Sequence, residues 1–245
     1  MIRIDKSSTD VPTILEAGSK GETATQKLKL VHDSGEIQLK FDSKIYGHES
    51  VKSVLVSLQH DKCCFCEAQV SHTSHGDVEH FRPKGGYQQS ENDPLEQPGY
   101  YWLAYDFSNL FFACQKCNEV YKRNYFPLVD TTKRAKSHND DHEQEESLIL
   151  HPEFDNPEDH ITFDKEVVKP KNGSLKGRET IKRTGLDRLK LEDRRFDYFQ
   201  LLLTLAKVAR GNGSEAGEAQ DHFKRLGQPT SLYSAMVRAN FPDLV

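Results

Sequence analysis

The sequence predicts an α+β fold in which a compact central segment lies between two helical regions. Apolar residues recur at helical spacing shortly before residue 63 and again after residue 189, and short apolar runs between them are typical of strands. Two C-x-x-C pairs fall within the central segment. These observations predict a helical N-terminal extension over 1–62, a compact core over 63–128 and a mainly helical C-terminal region over 129–245.

The composition is that of a folded protein outside the membrane. The 245 residues allow one large domain or two small ones, and 13 Phe among 9% aromatic residues argue against general disorder. No run approaches the roughly 18 apolar residues that a membrane span needs, and the residues after Met1 lack the apolar stretch of a signal peptide. We therefore expect a cytoplasmic protein with no membrane partner.

Charge is divided between two blocks that the formal net charge of −5 conceals. Residues 140–164 carry ten acidic side chains and no Lys or Arg, whereas residues 165–210 carry thirteen basic and six acidic ones. The scarcity of apolar residues over 137–147 predicts an acidic linker there. The net negative charge argues against a simple nucleic-acid coat protein and predicts weak nucleic-acid binding by the isolated chain.

Periodicity and turn residues predict the elements in chain order. Residues 47–61 are predicted to form an amphipathic helix that leads into the first cysteine pair, and 84–99 a long exposed loop. The aromatic run over 100–105 is expected in the core rather than on a base-stacking surface. A strand over 109–113 and a short helix from Asn118 to Arg123 should flank the second pair.

The C-terminal region is predicted to be one strand followed by helices. Residues 161–169 alternate as a single strand does, and Asn172-Gly173 is a turn signal. An apolar stripe over 189–206 and two shorter segments, 216–226 and 231–239, then predict helices.

Four of the five cysteines have the spacing of a structural zinc site. Cys63 and Cys66 form one C-x-x-C pair and Cys114 and Cys117 the other, with 47 residues between them. Two such pairs supply four thiolates about 2.3 Å from a tetrahedral Zn²⁺. Cys64 is left out, because pairing it with Cys66 leaves a single intervening residue. A redox C-x-x-C or cysteines packed as small apolar side chains are the alternatives.

A further set of residues lies around the cysteine pairs in a characteristic order. Glu79 directly precedes His80, and Pro83 follows three residues later. Asn109 comes before the second pair, and Asn118 follows its last cysteine directly. This order resembles the HNH endonuclease family. The resemblance implies a zinc-clamped ββα-metal core within the α+β fold, and hydrolysis of phosphodiester bonds.

Longer stretches are similar to the PtuB-type HNH nucleases of Septu and retron anti-phage systems. These stretches are residues 79–84, the aromatic run 100–105 and residues 117–128. The resemblance implies an anti-phage effector that cleaves DNA, with a P-loop ATPase of the PtuA type as its partner. We expect the C-terminal region and its acidic block to supply the docking surface for that ATPase.

The resemblance also implies roles for single residues. His80 would be the general base, since an ordinary pKa near 6.5 leaves much of it neutral. Glu79 and Asn118 would hold Mg²⁺ or Mn²⁺ through oxygen atoms. Asp77 is the alternative ligand, because neighbouring side chains on a regular strand point to opposite faces. Asn109 would brace the loop that carries His80 through backbone hydrogen bonds.

Basic residues close to the motif are candidates for phosphate contacts, although charges on a short exposed helix are as often merely solvated. They are Arg82, Lys84, Lys122 and Arg123. RNA such as a tRNA is an alternative substrate, because a water-activating mechanism needs no 2′-OH. A zinc-ribbon binding module without catalysis is the alternative to an enzyme. Six histidines have no partner at a spacing that indicates a role: His72, His75, His138, His142, His151 and His160.

Overall fold

The computed structural model describes residues 1–72 and 74–245. Helices α1 (Lys20–Asp33), α2 (Ser43–Tyr46) and α3 (Glu49–Leu58) precede the first cysteine pair. Ser19 caps α1 by accepting hydrogen bonds from the backbone N–H groups of Gly21 and Glu22. Helix α3 buries Val51 and Leu55, one turn apart, which confirms the predicted amphipathic helix.

Two short antiparallel strands form the centre of the molecule: β1 (Asp77–His80) and β2 (Leu110–Ala113). All four residues of β2 are buried. Gln59, directly after α3, holds Phe112 on both sides, accepting from its N–H at 2.8 Å and donating to its carbonyl at 2.7 Å. The Cys64 N–H donates to the same carbonyl at 3.0 Å. The predicted strand before the second cysteine pair is confirmed, and the first pair is attached to it.

A seven-residue π-helical segment, Lys116–Lys122, follows β2 and is called the site helix below. It confirms the predicted short helix but begins two residues earlier. Arg123 ends it with a φ of +50°. Such π turns are rare and occur frequently at functional sites. The residues of the aromatic run are also as predicted, since all six side chains over 100–105 are buried.

The predicted linker over 137–147 packs against the core instead. Glu145 is buried, and its carboxylate accepts from the Tyr100 hydroxyl at 2.7 Å, the Ala135 N–H at 2.9 Å and Arg82 Nε at 3.0 Å. A buried carboxylate with three donors anchors the segment where apolar residues are scarce. The linker prediction is therefore wrong for this segment, whereas the boundaries of the three predicted regions remain a prediction.

The single strand predicted over 161–169 is also wrong. The chain forms a hairpin of β3 (Ile161–Asp164) and β4 (Val167–Pro170), and Lys165 has a φ of +56° in the turn. Alternation continues through such a tight turn, so the pattern does not reveal it. Four helices follow: α4 (Leu175–Thr184), α5 (Leu189–Ala209), α6 (Ala216–Leu226) and α7 (Ser234–Asn240).

The C-terminal helices pack on the central segment. Gly185, which ends α4 at a φ of +61°, lies so close to Tyr121 of the site helix that a Cβ would overlap the ring at 2.4 Å. At the start of α7, the Ser234 hydroxyl donates to buried Glu67 at 2.9 Å. Across the described ranges, no helix is both long and apolar enough to cross a bilayer.

Candidate functional site

The two cysteine pairs come together as one cluster. Within this cluster the Sγ atoms of Cys63, Cys66, Cys114 and Cys117 all lie within 4.8 Å of one another, and those of Cys66 and Cys114 are 3.9 Å apart. Four sulfurs about 2.3 Å from a tetrahedral zinc ion are about 3.8 Å from each other. The cluster therefore fits a metal ion such as zinc, and Cys64 lies outside it as predicted.

Arg188, between α4 and α5, contacts the cluster from outside. Its Nη1 donates to Cys117 Sγ at 3.3 Å, and its Nη2 lies 4.0 Å from Cys114 Sγ. A guanidinium in this position offsets the negative charge of thiolates that bind a divalent ion. The sequence offered no sign of this residue beyond its place in the basic block.

His80 lies at the end of β1 with each ring nitrogen in a different environment. Nε2 is 2.9 Å from the Ala104 carbonyl oxygen, so it carries the proton and donates. Nδ1 carries the lone pair and accepts from Lys84 Nζ at 3.4 Å. The Tyr46 ring packs nearly perpendicular to the imidazole, with the ring centroids 4.7 Å apart. Burial, and then the charge of Lys84, hold the pKa of His80 well below its ordinary value, so the ring is neutral at physiological pH.

A cavity of about 400 Å³ lies between β1 and the site helix. Its lining includes five of the residues predicted from the sequence: Glu79, His80, Lys84, Asn118 and Arg123. Asn118 Nδ2 donates to Asp77 Oδ2 at 3.2 Å, which links the site helix to the start of β1. Burial lowers the pKa of Lys84, whereas Arg123 is exposed. The structure thus places the predicted base, two oxygen-bearing side chains and two cations around one space.

Glu79 is buried beneath this cavity and forms an ion pair with Lys122. Burial raises the pKa of the Glu79 carboxyl, and Lys122 offsets part of that effect. Lys122 Nζ also donates to the His80 carbonyl at 3.0 Å, and its side chain has no exposed surface. The prediction that Lys122 contacts phosphate is therefore wrong, because its ammonium group is buried and pairs with Glu79.

Asn109 and Arg82 hold the loop after β1. Asn109 Oδ1 accepts from the Arg82 N–H at 2.7 Å, and Nδ2 donates to the Arg82 carbonyl at 3.0 Å. These are backbone contacts of the kind that the resemblance implies for Asn109. The Arg82 guanidinium donates to Glu145 and to the His142 carbonyl, both at 3.0 Å. In this arrangement the Arg82 guanidinium is engaged within the protein and supports the loop, which argues against the predicted phosphate contact.

The cavity has a donor set suited to a hard divalent cation. Glu79 and Asn118 both offer oxygen atoms, the ligands that Mg²⁺ and Mn²⁺ prefer. The Glu79 carboxylate already pairs through Oε1 with the buried Lys122 ammonium. An ion held by this carboxylate would therefore share it with Lys122. The oxygen donors of Glu79 and Asn118 fit such an ion.

Comparison with known proteins supports one of the resemblances given by the motifs. Over 179 residues, or 73% of this chain, the sequence is 38% identical to Septu protein PtuB of Bacillus mycoides (strain KBAB4), of which it covers 59%. The chain is similar to Septu protein PtuB. A second PtuB, from Bacillus thuringiensis, is 24% identical over 157 residues, 62% of this chain and 48% of that protein.

The similarity to Septu proteins extends beyond PtuB. Over 117 residues the chain is 27% identical to Septu protein PtuA of Bacillus mycoides (strain KBAB4), which is 46% of this chain and 16% of that protein. The chain spans roughly half to three fifths of the length of its two PtuB relatives. No family model matches the chain. The relatives found are thus Septu proteins of both names, whereas the HNH motif rests on the residues described above.

Proposed function

We propose that the chain is a metal-dependent endonuclease of the HNH type that cleaves DNA as the effector of a Septu-type defence system. The observation that carries the proposal is the orientation of His80. Its Nε2 is fixed on the Ala104 carbonyl, and its unprotonated Nδ1, which Lys84 contacts at 3.4 Å, can accept a proton next to a cavity lined by Glu79 and Asn118. A buried zinc-ribbon module has no need of a histidine held in one tautomer beside such a cavity.

The chemistry follows from the groups around the cavity. His80 Nδ1 takes a proton from the attacking water, and the Ala104 carbonyl stabilises the imidazolium that forms. Lys84 and Arg123 would hold the non-bridging phosphate oxygens and orient the backbone. A divalent cation, held by Glu79 and Asn118, would supply electrostatic stabilisation of the leaving 3′ oxygen when bound. Asn109 keeps the loop after His80 in place.

The test compares His80→Ala with His72→Ala, a variant of an exposed histidine outside the cavity. Each protein is incubated with plasmid DNA and, separately, with total RNA, in Mg²⁺ or in EDTA. We expect DNA cleavage that needs the cation, a loss of about 10²-fold to 10⁴-fold in His80→Ala and no loss in His72→Ala. Zinc content should be equal in all three proteins, and His80→Ala, although less stable because His80 is buried, should still unfold in one cooperative transition above the assay temperature. The loss then reports chemistry and not folding.

Three results would contradict the proposal. Equal cleavage by His80→Ala would exclude this residue as the base. Cleavage of RNA but not of DNA would show that RNA is the substrate. Absence of any cleavage, with nucleic-acid binding unchanged in His80→Ala, would favour the binding module.

The proposed partner is an ATPase of the PtuA type. The support is the similarity of this chain to Septu proteins of both names. Deletion of 140–245 is a poor test, because Glu145, Arg188 and Ser234 lie in that range and hold the central segment. The intact chain should instead be co-expressed with a tagged ATPase encoded beside it. We expect the two to co-purify, and their separation at physiological salt would contradict the partnership.

A further inference from the structure

One histidine that the sequence left without a partner, His138, meets the end of α1. Its Nε2 lies 3.7 Å from Asp33 Oδ2, and His32 Nδ1 lies 3.4 Å from Asp33 Oδ1. One ligand atom from each of the three side chains can be chosen so that all lie within 4.8 Å of one another. The group is separate from the cavity at His80 and from the cysteine cluster, and it joins two regions that are 105 positions apart in the chain.

Tyr101 holds both imidazoles in place. Its hydroxyl is 2.6 Å from His138 Nδ1, so this nitrogen is engaged and Nε2 is the one that faces Asp33. The His32 ring stacks on the Tyr101 ring with centroids 4.7 Å apart and planes 24° from parallel. A hydrogen bond to the far nitrogen of an imidazole is the usual support of a histidine that binds a metal. Tyr101 has no exposed surface, so the support is rigid.

The charge around the group favours a cation. Across the part of the chain that the structure describes, Asp33 makes ion pairs with the two histidines and with no Lys or Arg. Asp140, near the Tyr101 hydroxyl, adds a second negative charge. The side chains of His32 and His138 are 23% and 13% exposed and that of Asp33 is 52% exposed, which leaves a path for an ion and for water ligands.

We propose that His32, Asp33 and His138 form a second metal site that binds a divalent transition ion, with Zn²⁺ as the preferred candidate. Two imidazole nitrogens and a carboxylate oxygen are ligands that zinc accepts, with water in the remaining position. Ligands about 2.0–2.1 Å from a tetrahedral ion are about 3.3–3.4 Å apart. One ligand atom from each of the three side chains lies within 4.8 Å of the other two, a spacing within reach of that value. The bound ion would fasten α1 to the segment that carries Glu145.

The experiment counts zinc in the intact chain. Wild-type protein, Asp33→Asn, His138→Ala and the control His222→Ala are dialysed against the same micromolar free Zn²⁺, and metal per chain is measured by mass spectrometry. His222 is exposed on α6, away from the group. We expect wild type and His222→Ala to hold one zinc more per chain than Asp33→Asn and His138→Ala. Because the comparison is a difference, it does not depend on the cysteine cluster or on nuclease activity.

A second readout separates metal loss from misfolding. Asp33→Asn replaces a half-exposed carboxylate by an amide of the same shape, so its melting temperature without added zinc should equal that of wild type. Adding Zn²⁺ should raise the melting temperature of wild type and leave Asp33→Asn unchanged, since an ion stabilises only a fold that binds it. Equal zinc content in wild type, Asp33→Asn and His138→Ala would overturn the proposal and leave a hydrogen-bonded surface cluster.

Discussion

Lys84 shows how a single residue can combine packing with chemistry. Its Nζ lies 4.6 Å from the centre of the Tyr46 ring and 3.4 Å from His80 Nδ1, and it lines the cavity. A cation in that position can neutralise the phosphate while water is activated beside it. We expect Lys84→Gln to lower kcat/KM for DNA cleavage by about 10²-fold to 10³-fold.

The matched control for Lys84→Gln is Lys116→Gln, which removes an exposed lysine at the start of the site helix. Cleavage by this variant should stay close to wild type, and zinc content should be unchanged in both. If the two variants lose the same activity, a general effect of positive charge on DNA binding replaces a specific role for Lys84.

His151 predicts a pH dependence of stability that is independent of the proposed reaction. Its Nδ1 accepts from the N–H groups of Glu153 and Phe154 at 3.1 and 3.3 Å, which requires a neutral ring. Burial is the main cause that lowers the pKa of His151 to about 3. The pKa of His151 in the folded protein lies below the ordinary value of about 6.5. The stability that neutral His151 contributes is therefore complete above pH 6.5 and is lost as the pH falls towards 3.

The measurement for His151 is the free energy of unfolding from urea titrations between pH 7 and pH 4. We expect it to fall more steeply in wild type than in His151→Asn, whose side chain does not titrate, although this variant is less stable at pH 7. His222→Asn, at an exposed position, should follow the wild-type slope. Parallel curves for wild type and His151→Asn would show that other groups cause the acid sensitivity.

The sequence patterns identified which residues line the cavity, but they did not show which side chains point into the core and which into solvent. His80, Glu79 and Asn118 were found because their order around the cysteine pairs is distinctive, and the structure brings them together. Lys122 was expected on the surface beside Arg123, yet the π turn directs Lys122 into the core and leaves Arg123 outside. Adjacent basic residues look alike in a sequence, since nothing in it records which face of a seven-residue helix is buried.

At the scale of elements, the segment over 137–147 shows where polar composition misleads. A stretch with few apolar residues predicts a linker, but Glu145 anchors it to Tyr100, Ala135 and Arg82. Breaking a buried, hydrogen-bonded ion pair by removing one partner costs about 3–5 kcal/mol. We therefore expect Glu145→Ala to lower the free energy of unfolding by that amount, and to expose the segment to proteases.

The control for Glu145→Ala is Glu143→Ala, two residues away and exposed. It should change the free energy of unfolding by no more than about 0.5 kcal/mol, as surface substitutions usually do. Chemical denaturation and limited proteolysis measure both effects. Equal stability of the two variants would show that the segment is a linker in solution.

Sequence periodicity predicts the helices better than it predicts the hairpin β3–β4. Helix α3 could be predicted because Val51 and Leu55 mark one face over ten residues. The hairpin was predicted as one strand because its turn at Lys165 contains no glycine, proline or asparagine. An element can therefore be predicted when its apolar period extends over several helical turns. Its ends cannot be predicted when the turn contains none of the residues that usually mark one.

For the whole molecule, the net charge of −5 is the sum of regions that the fold uses separately. In the acidic block, Glu145 is buried. In the basic block, Arg188 contacts the cysteine cluster and Arg195 is only 2% exposed. The exposed charge is thus smaller in both blocks than the sequence suggests. Weak nucleic-acid binding by the isolated chain stays a prediction.

The cysteine cluster holds the loop after α3, the end of β2 and, through Arg188, the start of α5, so its loss should affect the whole chain. We expect Cys117→Ser to lose a tightly bound zinc ion and to unfold at lower temperature without a sharp transition, because metal binding at such sites contributes directly to folding. Cys64→Ser is the matched control, since Cys64 is also buried but lies outside the cluster. It should keep the zinc that resists a chelating resin and unfold cooperatively. Calorimetry and metal analysis on the two variants decide the matter: if both lose zinc, or neither does, the four-cysteine assignment is wrong.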